Sequence, residues 1–271
     1  MTPWIVFAGL ALLALWLGFR WLRRRNRRKL LLATPLTDEQ RAIVDRLVPL
    51  VKRLPQDLRS TLEGKMNRFL DQVTFHGING VEVTEEMRLS IAAQACLLIV
   101  NSPAWYDTLR NILLYPAAFL PDRGTHDGHL VHEPTHGALG ESWAHGPVVL
   151  SWNDALQGGL DMSDGHNVVI HEFAHQLDGL SGHVNGIPIL RKGQKYAKWE
   201  RAMLDAFEDH TARLESNSAT LIDPYGATNH QEFFAEAIVT FFEKPKALRE
   251  EEPALYAQLQ KLLALDPAEW R

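Results

Sequence analysis

The sequence predicts an α+β fold, mostly helical with a small sheet, behind one N-terminal transmembrane helix. Apolar residues recur at helical spacing in several segments, a few short runs alternate like strands, and the chain begins with an uncharged apolar run. With 271 residues and 46% hydrophobic content, the chain is long enough to bury a full core. One large domain over residues 37–271 is therefore favoured over two smaller ones.

The N-terminal segment over residues 1–22 predicts a membrane anchor. Residues 1–19 carry no charged side chain, and the apolar run approaches the ~17–25 residues that a spanning helix needs. Trp4, Trp16 and Trp21 lie near its ends, where indole rings suit the membrane interface. Arginines follow the run rather than precede it, and no small-residue cleavage site comes after it, which argues against a cleaved signal peptide.

A basic cluster follows the apolar run, mostly within a juxtamembrane linker over residues 23–36. The first 30 residues contain no acidic residue and seven basic ones: Arg20, Arg23, Arg24, Arg25, Arg27, Arg28 and Lys29. The positive-inside rule then predicts a single-pass protein of the inner (cytoplasmic) membrane, with its main domain facing the cytoplasm. A nuclear-type or RNA-binding patch is the alternative, but it leaves the apolar run unexplained.

The remainder of the chain is acidic and contains one cysteine. Its 21 basic and 33 acidic residues give a net charge of −12, which argues against a nucleic-acid partner. The single cysteine, Cys96, excludes an internal disulfide and a cysteine-rich structural zinc site. Because Cys96 lies in an apolar helical run, a buried and inert thiol is favoured over a nucleophile.

Helix-capping residues, the spacing of apolar residues and turn-forming residues predict the other secondary-structure elements. A capping box from Thr37 to Gln40 starts one helix, and further helices are predicted over 57–71, 84–100 and 194–215. Strands or turns are predicted within 73–83, and strands over 112–115 and 148–152. The last strand could hold an extended peptide along a free edge, or it could be a buried core strand.

The most informative stretch is Val168–Asp178, which contains the pattern His-Glu-x-x-His. In a helix, His171 and His175 lie one turn apart on the same face, where both imidazoles can bind one Zn²⁺. Glu172 lies beside the first histidine and can take a proton from a metal-bound water. The alternative is an ordinary amphipathic helix whose polar side chains are hydrogen-bonded without a metal. The apolar run before the motif and the apolar residues within it favour a metal site.

Two histidines leave a zinc site short of a third protein ligand. Glu232 and Glu236 are the candidates, one turn apart at the start of an apolar helix. Glu232 has a structural alternative, because Asn229-x-x-Glu232 resembles a capping box. Spacing alone does not choose between the two acids.

Three segments together resemble the Mlc titration factor A (MtfA) family of zinc peptidases: Gly146–Trp152, Asn167–Asp178 and Ile222–Tyr225. The similarity extends from about Thr37 to Pro245, which is most of the chain after the basic cluster. It implies a zincin-type (gluzincin) metallopeptidase fold, which the anthrax lethal factor protease domain shares. It also implies Zn²⁺ as the cofactor and a peptide or protein substrate, with aminopeptidase or general peptidase activity.

The resemblance further implies the metal ligands. It makes His171, His175 and Glu232 the zinc ligands, because the family glutamate precedes a hydrophobic-Phe-Ala sequence like the one that follows Glu232. Glu236 has no such counterpart and takes a role outside metal coordination or on the surface. His132, in Leu130-Val131-His132, matches a family histidine that is also counted among the metal ligands. As a ligand, His132 would occupy the coordination position that the catalytic water needs and so inhibit the resting enzyme. Alternatively, His132 is a solvated loop residue.

Two other residues have proposed roles at the site. Tyr225 matches a family tyrosine that is proposed to stabilise the oxyanion, as a phenol donor near a polarised carbonyl can do. Its alternative is ordinary packing in a proline-containing turn. Asp178 follows His175 by three residues, so it could orient the imidazole of His175 or simply end the helix.

The sequence supports two alternative functions. One is an active zinc peptidase in which Glu172 and Tyr225 are catalytic. The other is a membrane-tethered binding protein that sequesters a transcriptional regulator, with hydrolysis incidental. The first is favoured because a scaffold used only for binding has no chemical need for Glu172. The predicted anchor also separates this chain from the best-known family members, which look soluble, so the family's repressor-binding role does not transfer directly.

Overall fold

The computed structural model describes residues 3–117 and 146–270. Within these residues the chain forms ten α-helices and three strands. The helices are α1 (Pro3–Ala33), α2 (Asp38–Leu47), α3 (Gln56–Gln72), α4 (Glu85–Leu97), α5 (Trp152–Leu160), α6 (Val168–Asp178), α7 (Tyr196–Glu215), α8 (His230–Glu243), α9 (Pro245–Glu251) and α10 (Pro253–Leu263). The strands are β1 (Thr74–Gly77), β2 (Asn111–Tyr115) and β3 (Val148–Ser151). A mostly helical domain with a small sheet is therefore confirmed.

The sheet is parallel, in the order β1-β2-β3. Ile112 of β2 lies opposite Phe75 of β1 on one side and Val148 of β3 on the other. Alternate residues of β2 and β3 are buried, as expected for strands with one face on the core. β3 ends where the hydroxyl of Ser151 accepts the N–H of Asp154 and caps α5. In the described part of the chain β3 pairs only with β2.

Helix α6 forms over the residues that the motif predicts. The Asn167 side chain accepts the N–H of Ile170 at 2.9 Å and caps the helix at its N-terminus. Phe173 anchors the buried face, with its ring centroid 5.7 Å from Phe69 of α3 and 5.1 Å from Tyr106. The histidines lie on a different face of α6, where they meet the buried helix α8.

Helix α8 runs through the centre of the domain. Every residue from Glu232 to Glu243 is buried, so the helix is enclosed on all sides. It begins where the Asn229 side chain accepts the N–H groups of Gln231 and Glu232, both at 3.0 Å. A carboxylate on such a buried helix is stable only where hydrogen-bond donors or positive charges lie beside it.

The loop that follows α6 contains Gly186, which packs against the start of α8. Gly186 donates its N–H to Asp178 Oδ2 at 2.6 Å and accepts the indole N–H of Trp199 at 3.1 Å. Its φ is +78°, and a Cβ at this position would lie 2.7 Å from the carbonyl oxygen of His230. Glycine is therefore required here both by conformation and by space.

Helix α1 continues through most of the segment predicted as a linker. Its C-terminal turns pack on α3, where a Cβ at Gly64 would lie 2.1 Å from the Leu32 carbonyl oxygen, and Arg27 pairs with Asp71. The predicted transmembrane segment lies partly outside the described residues, because residues 1 and 2 and several side chains up to Ala11 are not described. Across the residues that are described, no helix is long and apolar enough to cross a membrane. The anchor stays a prediction.

Glu243, at the end of α8, is a buried acid that lies outside the candidate site. Its Oε2 accepts the N–H of Gly165 at 2.9 Å, which connects the end of α8 to the loop before α6. Burial raises the pKa of Glu243 to about 8, although hydrogen bonds with Asn167 and Gly165 oppose the shift. The folded protein therefore holds a proton here that an unfolded chain releases near pH 4.5.

Glu243→Gln should make the protein more stable toward alkaline pH. The folded state binds this proton more tightly than the unfolded state, so the contribution of Glu243 to stability is lost as pH rises from about 4.5 to about 8. Glutamine keeps the shape and an acceptor oxygen without titrating. Urea unfolding should give nearly equal free energies of unfolding for the two proteins near pH 5. Near pH 8 the free energy of unfolding of the variant should be higher by at least about 1 kcal/mol. A constant difference across that range would contradict the assignment.

Candidate metal centre

His171 and His175 face each other on one side of α6. Their Nε2 atoms lie 3.1 Å apart, and the two rings are nearly perpendicular with centroids 4.7 Å apart. The separation follows from the four-residue spacing, which stacks side chains one turn apart. His171 is almost completely buried, and His175 is only slightly more exposed.

Glu232 of α8 completes a triangle with the two imidazoles. Its Oε2 lies 3.1 Å from His171 Nε2 and 3.2 Å from His175 Nε2. Asn229 caps α8 with its own side chain, so the Glu232 carboxylate is directed to the histidines rather than back to the cap. The structure thus places Glu232, and not Glu236, beside both histidine Nε2 atoms, which spacing alone left open.

The triangle has the dimensions of a tetrahedral zinc site. Ligand bonds of ~2.0–2.1 Å at tetrahedral angles separate the donor atoms by roughly 3.3 Å, and the observed separations are 3.1–3.2 Å. Within the described part of the chain, these three residues are the one group whose donor atoms are close enough to hold a metal ion. Two imidazoles and one carboxylate are the ligand set of catalytic zinc sites that leave the fourth position open.

Electrostatics also favour a cation at this point. Burial lowers the pKa of His171, but hydrogen bonds with Glu232 and Glu236 outweigh it and hold that pKa well above its usual range. Burial raises the pKa of Glu232, and hydrogen bonds with His171 and His175 more than reverse this effect. In the protein without metal, a proton on His171 supplies positive charge beside the buried carboxylate. A bound metal ion would supply it instead.

Glu172 and Tyr225 lie beside the cluster and outside its ligand set. Glu172 is partly exposed, and its charge acts on both His171 and Tyr225. The Tyr225 ring lies 6.0 Å from that of His171 and is carried by the 3₁₀ turn Pro224–Thr228, which Asp223 caps. Burial, and then the charges of Glu232 and Glu172, raise the pKa of Tyr225, so its phenol stays protonated near neutral pH.

Glu236 contacts the other nitrogen of a candidate ligand. Its Oε1 lies 2.8 Å from His171 Nδ1, on the side opposite Glu232. The sequence signal was the four-residue spacing of the two acids, which puts both on one face of α8. What the spacing could not give is which acid reaches Nε2 and which reaches Nδ1.

Two predictions for other residues have different outcomes. Asp178 does not hydrogen-bond His175 in the structure. Its Oδ2 accepts the N–H groups of Asn185 and Gly186 at 2.7 and 2.6 Å, so it holds the loop after α6. Burial raises the pKa of Asp178 to about 6. His132 lies outside the described residues, so its proposed place among the ligands stays a prediction.

Comparison with known proteins shows the family of this chain. The profile of the family described as glucose-regulated metallo-peptidase M90 matches residues 20–263. This chain belongs to that metallopeptidase family. An uncharacterized protein of Synechocystis sp. is 40% identical over 246 residues, which cover 89% of each chain. Mlc titration factor A of Escherichia fergusonii is 33% identical over 226 residues, 81% of this chain and 84% of the relative. The resemblance that the sequence motifs indicated is thereby confirmed.

Glu232→Gln should abolish tight metal binding, whereas Glu236→Gln should retain a metal ion at saturating zinc. The first change removes a ligand, so the affinity should fall by more than the ~10–100-fold typical of changes around the coordination shell. The second keeps all three ligands and serves as the matched control, with the same substitution one turn along α8. Elemental analysis after equilibration with excess zinc and desalting would compare the two. Metal loss in the control alone would show that the ligand assignment is wrong.

Proposed function

We propose that this protein is a zinc-dependent peptidase that hydrolyses peptide bonds through a metal-activated water. The observation that carries the proposal is the cluster of His171, His175 and Glu232, with Glu172 and Tyr225 beside it. Its two-histidine, one-glutamate ligand set corresponds to a gluzincin-type site. Membership of a metallopeptidase family supports the reaction class.

The residues around the cluster have complementary roles in this reaction. A bound zinc ion would polarise the substrate carbonyl and lower the pKa of water to about 7. Glu172 would accept the proton of the attacking water and pass it to the leaving amine. Tyr225, protonated at neutral pH, would donate a hydrogen bond to the carbonyl oxygen as negative charge develops on it.

Glu172→Gln should separate chemistry from metal binding. Glutamine has the same size but cannot accept the proton, and Glu172 is not one of the three clustered ligands. Zinc content should stay near one ion per chain while turnover falls by at least ~10²-fold. Zinc stoichiometry and hydrolysis of a peptide library would be measured on the same purified sample. Full zinc with unchanged turnover would assign the base to another residue.

An aminopeptidase-like preference is the finer form of the proposal, implied by the family resemblance. It can be tested with matched peptides that differ only in acetylation of the N-terminal amine. Cleavage restricted to the free-amine series supports the preference. Equal cleavage of both series leaves a general peptidase.

The second candidate function is capture of a transcriptional regulator. The relatives named Mlc titration factor A support it, because their name describes titration of a regulator. Binding without hydrolysis would not require Glu172. A regulator that binds equally well to the parent protein and to Glu172→Gln, with no cleavage by the parent, would favour capture over the peptidase proposal.

Membrane attachment through α1 is a separate proposal. Among the described side chains of residues 7–22 on this helix, ten large apolar ones are exposed: Phe7, Leu10, Leu12, Leu13, Leu15, Trp16, Leu17, Phe19, Trp21 and Leu22. A continuous exposed apolar surface is typical of a membrane or protein contact. The arginines that follow would keep the catalytic domain on the cytoplasmic side of the inner membrane.

Deleting residues 2–22 should move the protein from the membrane fraction to the soluble fraction, because it removes the exposed apolar surface. A C-terminal reporter that is active only in the cytoplasm should be active on the full chain. A reporter active only outside the cytoplasm should stay silent. The reverse reporter pattern would contradict the orientation, and an unchanged distribution after the deletion would contradict the anchor.

A further inference from the structure

A cavity lined by basic side chains lies where the loop after α6, the start of α7 and the end of α10 meet. Its volume is about 380 Å³, within the ~300–1,000 Å³ typical of small-molecule sites. No residue of the candidate metal centre lines it. Five basic residues and no acidic residue line this basic cavity: Arg191, Lys192, Lys195, Lys198 and Lys261.

Neighbouring acids do not balance the charge of the basic cavity. After residue 30 the chain has 33 acidic and 21 basic residues, so most exposed cations have acids to pair with. None of the five cavity residues forms an ion pair with a carboxylate in the described part of the chain. Cations that converge without counter-charges repel one another and create a local positive potential on an otherwise acidic domain.

Two of the lysines lie at the end of a helix where positive charge is unfavourable. Lys195 is the N-cap residue of α7, and Lys198 lies in its first turn. The helix has 20 residues, no side-chain cap and no acidic residue in its first turn. Lys261, by contrast, lies in the last turn of α10, where a cation is favourable. Helix electrostatics therefore explain Lys261 but oppose the two lysines of α7.

Hydrogen bonds hold the wall of the cavity in place. Arg191 Nη1 donates to the Asn101 carbonyl at 2.9 Å, and Asn101 Nδ2 donates to the Ala264 carbonyl at 2.8 Å. Gln194 accepts the N–H of Arg191 at 3.2 Å and donates to the Gln258 carbonyl at 3.2 Å. The loop is thus tied to α10 at two points. A wall that is fixed before binding lowers the entropy cost of ordering it around a ligand.

Gln258 adds a neutral donor to the wall. The residue is 8% exposed and lines the cavity. Its Nε2 donates no hydrogen bond to any described residue, whereas its Oε1 lies 3.5 Å from Gln194 Nε2. This Nε2 is also not among the described side-chain atoms that are fully enclosed without a partner, so it is accessible from the cavity. An acceptor oxygen on a ligand would satisfy this donor.

The arrangement of the donors indicates the chemical class of the ligand. The cations come from three segments and surround one concave volume, whereas cations that follow a nucleic-acid backbone or an acidic peptide form an extended track. A ligand with one negative charge would leave most of the five cations unbalanced. Lysine and arginine both bind phosphate oxygens through charge-assisted hydrogen bonds. A compact ligand with several phosphate oxygens therefore matches both the charge and the volume.

We propose that the basic cavity binds a small soluble anion that carries two or more phosphate groups. Phosphate oxygens would accept hydrogen bonds from Arg191 and the lysines, and from Gln258 Nε2. The helix dipole of α7 would add to the attraction, because the phosphates would lie at its positive end. This site is separate from the candidate metal centre and goes beyond the proposed peptidase function.

The test uses inorganic pyrophosphate and tripolyphosphate as probes and isothermal titration calorimetry on the full chain. The cavity variant combines Lys195→Gln with Lys261→Gln, which removes one cation from each of two walls. The matched control combines Lys52→Gln with Lys246→Gln, two exposed lysines that lie outside the cavity. Both variants lose the same charge. Any binding of a probe to a metal ion is common to all three proteins, so the differences between them report on the cavity.

The affinity for pyrophosphate should fall at least ~10-fold in the cavity variant, because two charge-assisted contacts are lost. The control should stay within about threefold of the parent, since distant exposed charges contribute little. The decrease in affinity with added salt should also be less steep in the cavity variant than in the parent. Replacing Lys195 and Lys261 by glutamate should abolish measurable binding. If that charge-reversed variant does not fold, the glutamine pair decides.

Three results would overturn the inference. One is equal affinity for pyrophosphate in the parent, the cavity variant and the control. Another is a parent that binds neither probe. The third is a parent that binds neither probe but binds phosphatidylglycerol vesicles more tightly than the cavity variant does, which would assign the cations to a membrane surface. Loss of pyrophosphate affinity in the cavity variant alone supports the inference, whether or not the parent hydrolyses peptides.

Discussion

The candidate site depends on one interaction, the contact of a buried carboxylate on α8 with two imidazoles on α6. Glu232 Oε2 lies within 3.2 Å of both His171 and His175, and its side chain is 2% exposed. A carboxylate at such depth is stable only beside positive charge or hydrogen-bond donors. His171 needs the same partner, because burial disfavours the charged form of its imidazole. The imidazoles on α6 therefore stabilise the buried carboxylate on α8, and the carboxylate in turn stabilises the imidazoles.

The surrounding structure fixes the separation of these two helices at both ends of α6. Glu243 holds the loop before α6 through Gly165, while Asp178 holds the loop after it through Gly186, which rests against the start of α8. Phe173 anchors the far side of α6 on α3. Polar contacts at the ends and apolar packing behind the helix thus leave little freedom at the histidines. This matters because a metal site tolerates only small errors in ligand position.

Much of this arrangement could be predicted from the sequence because it is local. The bounds of α6 follow from the Asn167 cap and the apolar spacing, and the His171–His175 geometry follows from the helix itself. The roles of Glu232 and Glu236 could not be read from spacing, because both lie on one face of α8 and the approach of α6 decides which nitrogen each reaches. The parallel pairing of three short strands, and the length of α1, also depend on tertiary contacts that no local pattern encodes.

The charge balance of the site explains why these residues form a centre for a cation rather than an ordinary polar core. Glu172, Glu232 and Glu236 supply three carboxylates around two imidazoles. Neutral imidazoles would leave the group with a charge of −3, which a dication reduces to −1 and a proton reduces only to −2. Since Coulomb interactions strengthen as water is excluded, the buried site favours the ion of higher charge. An ion that binds the folded chain and not the unfolded one then stabilises the fold, so the arrangement that costs free energy in the metal-free protein becomes a source of stability once a metal is bound.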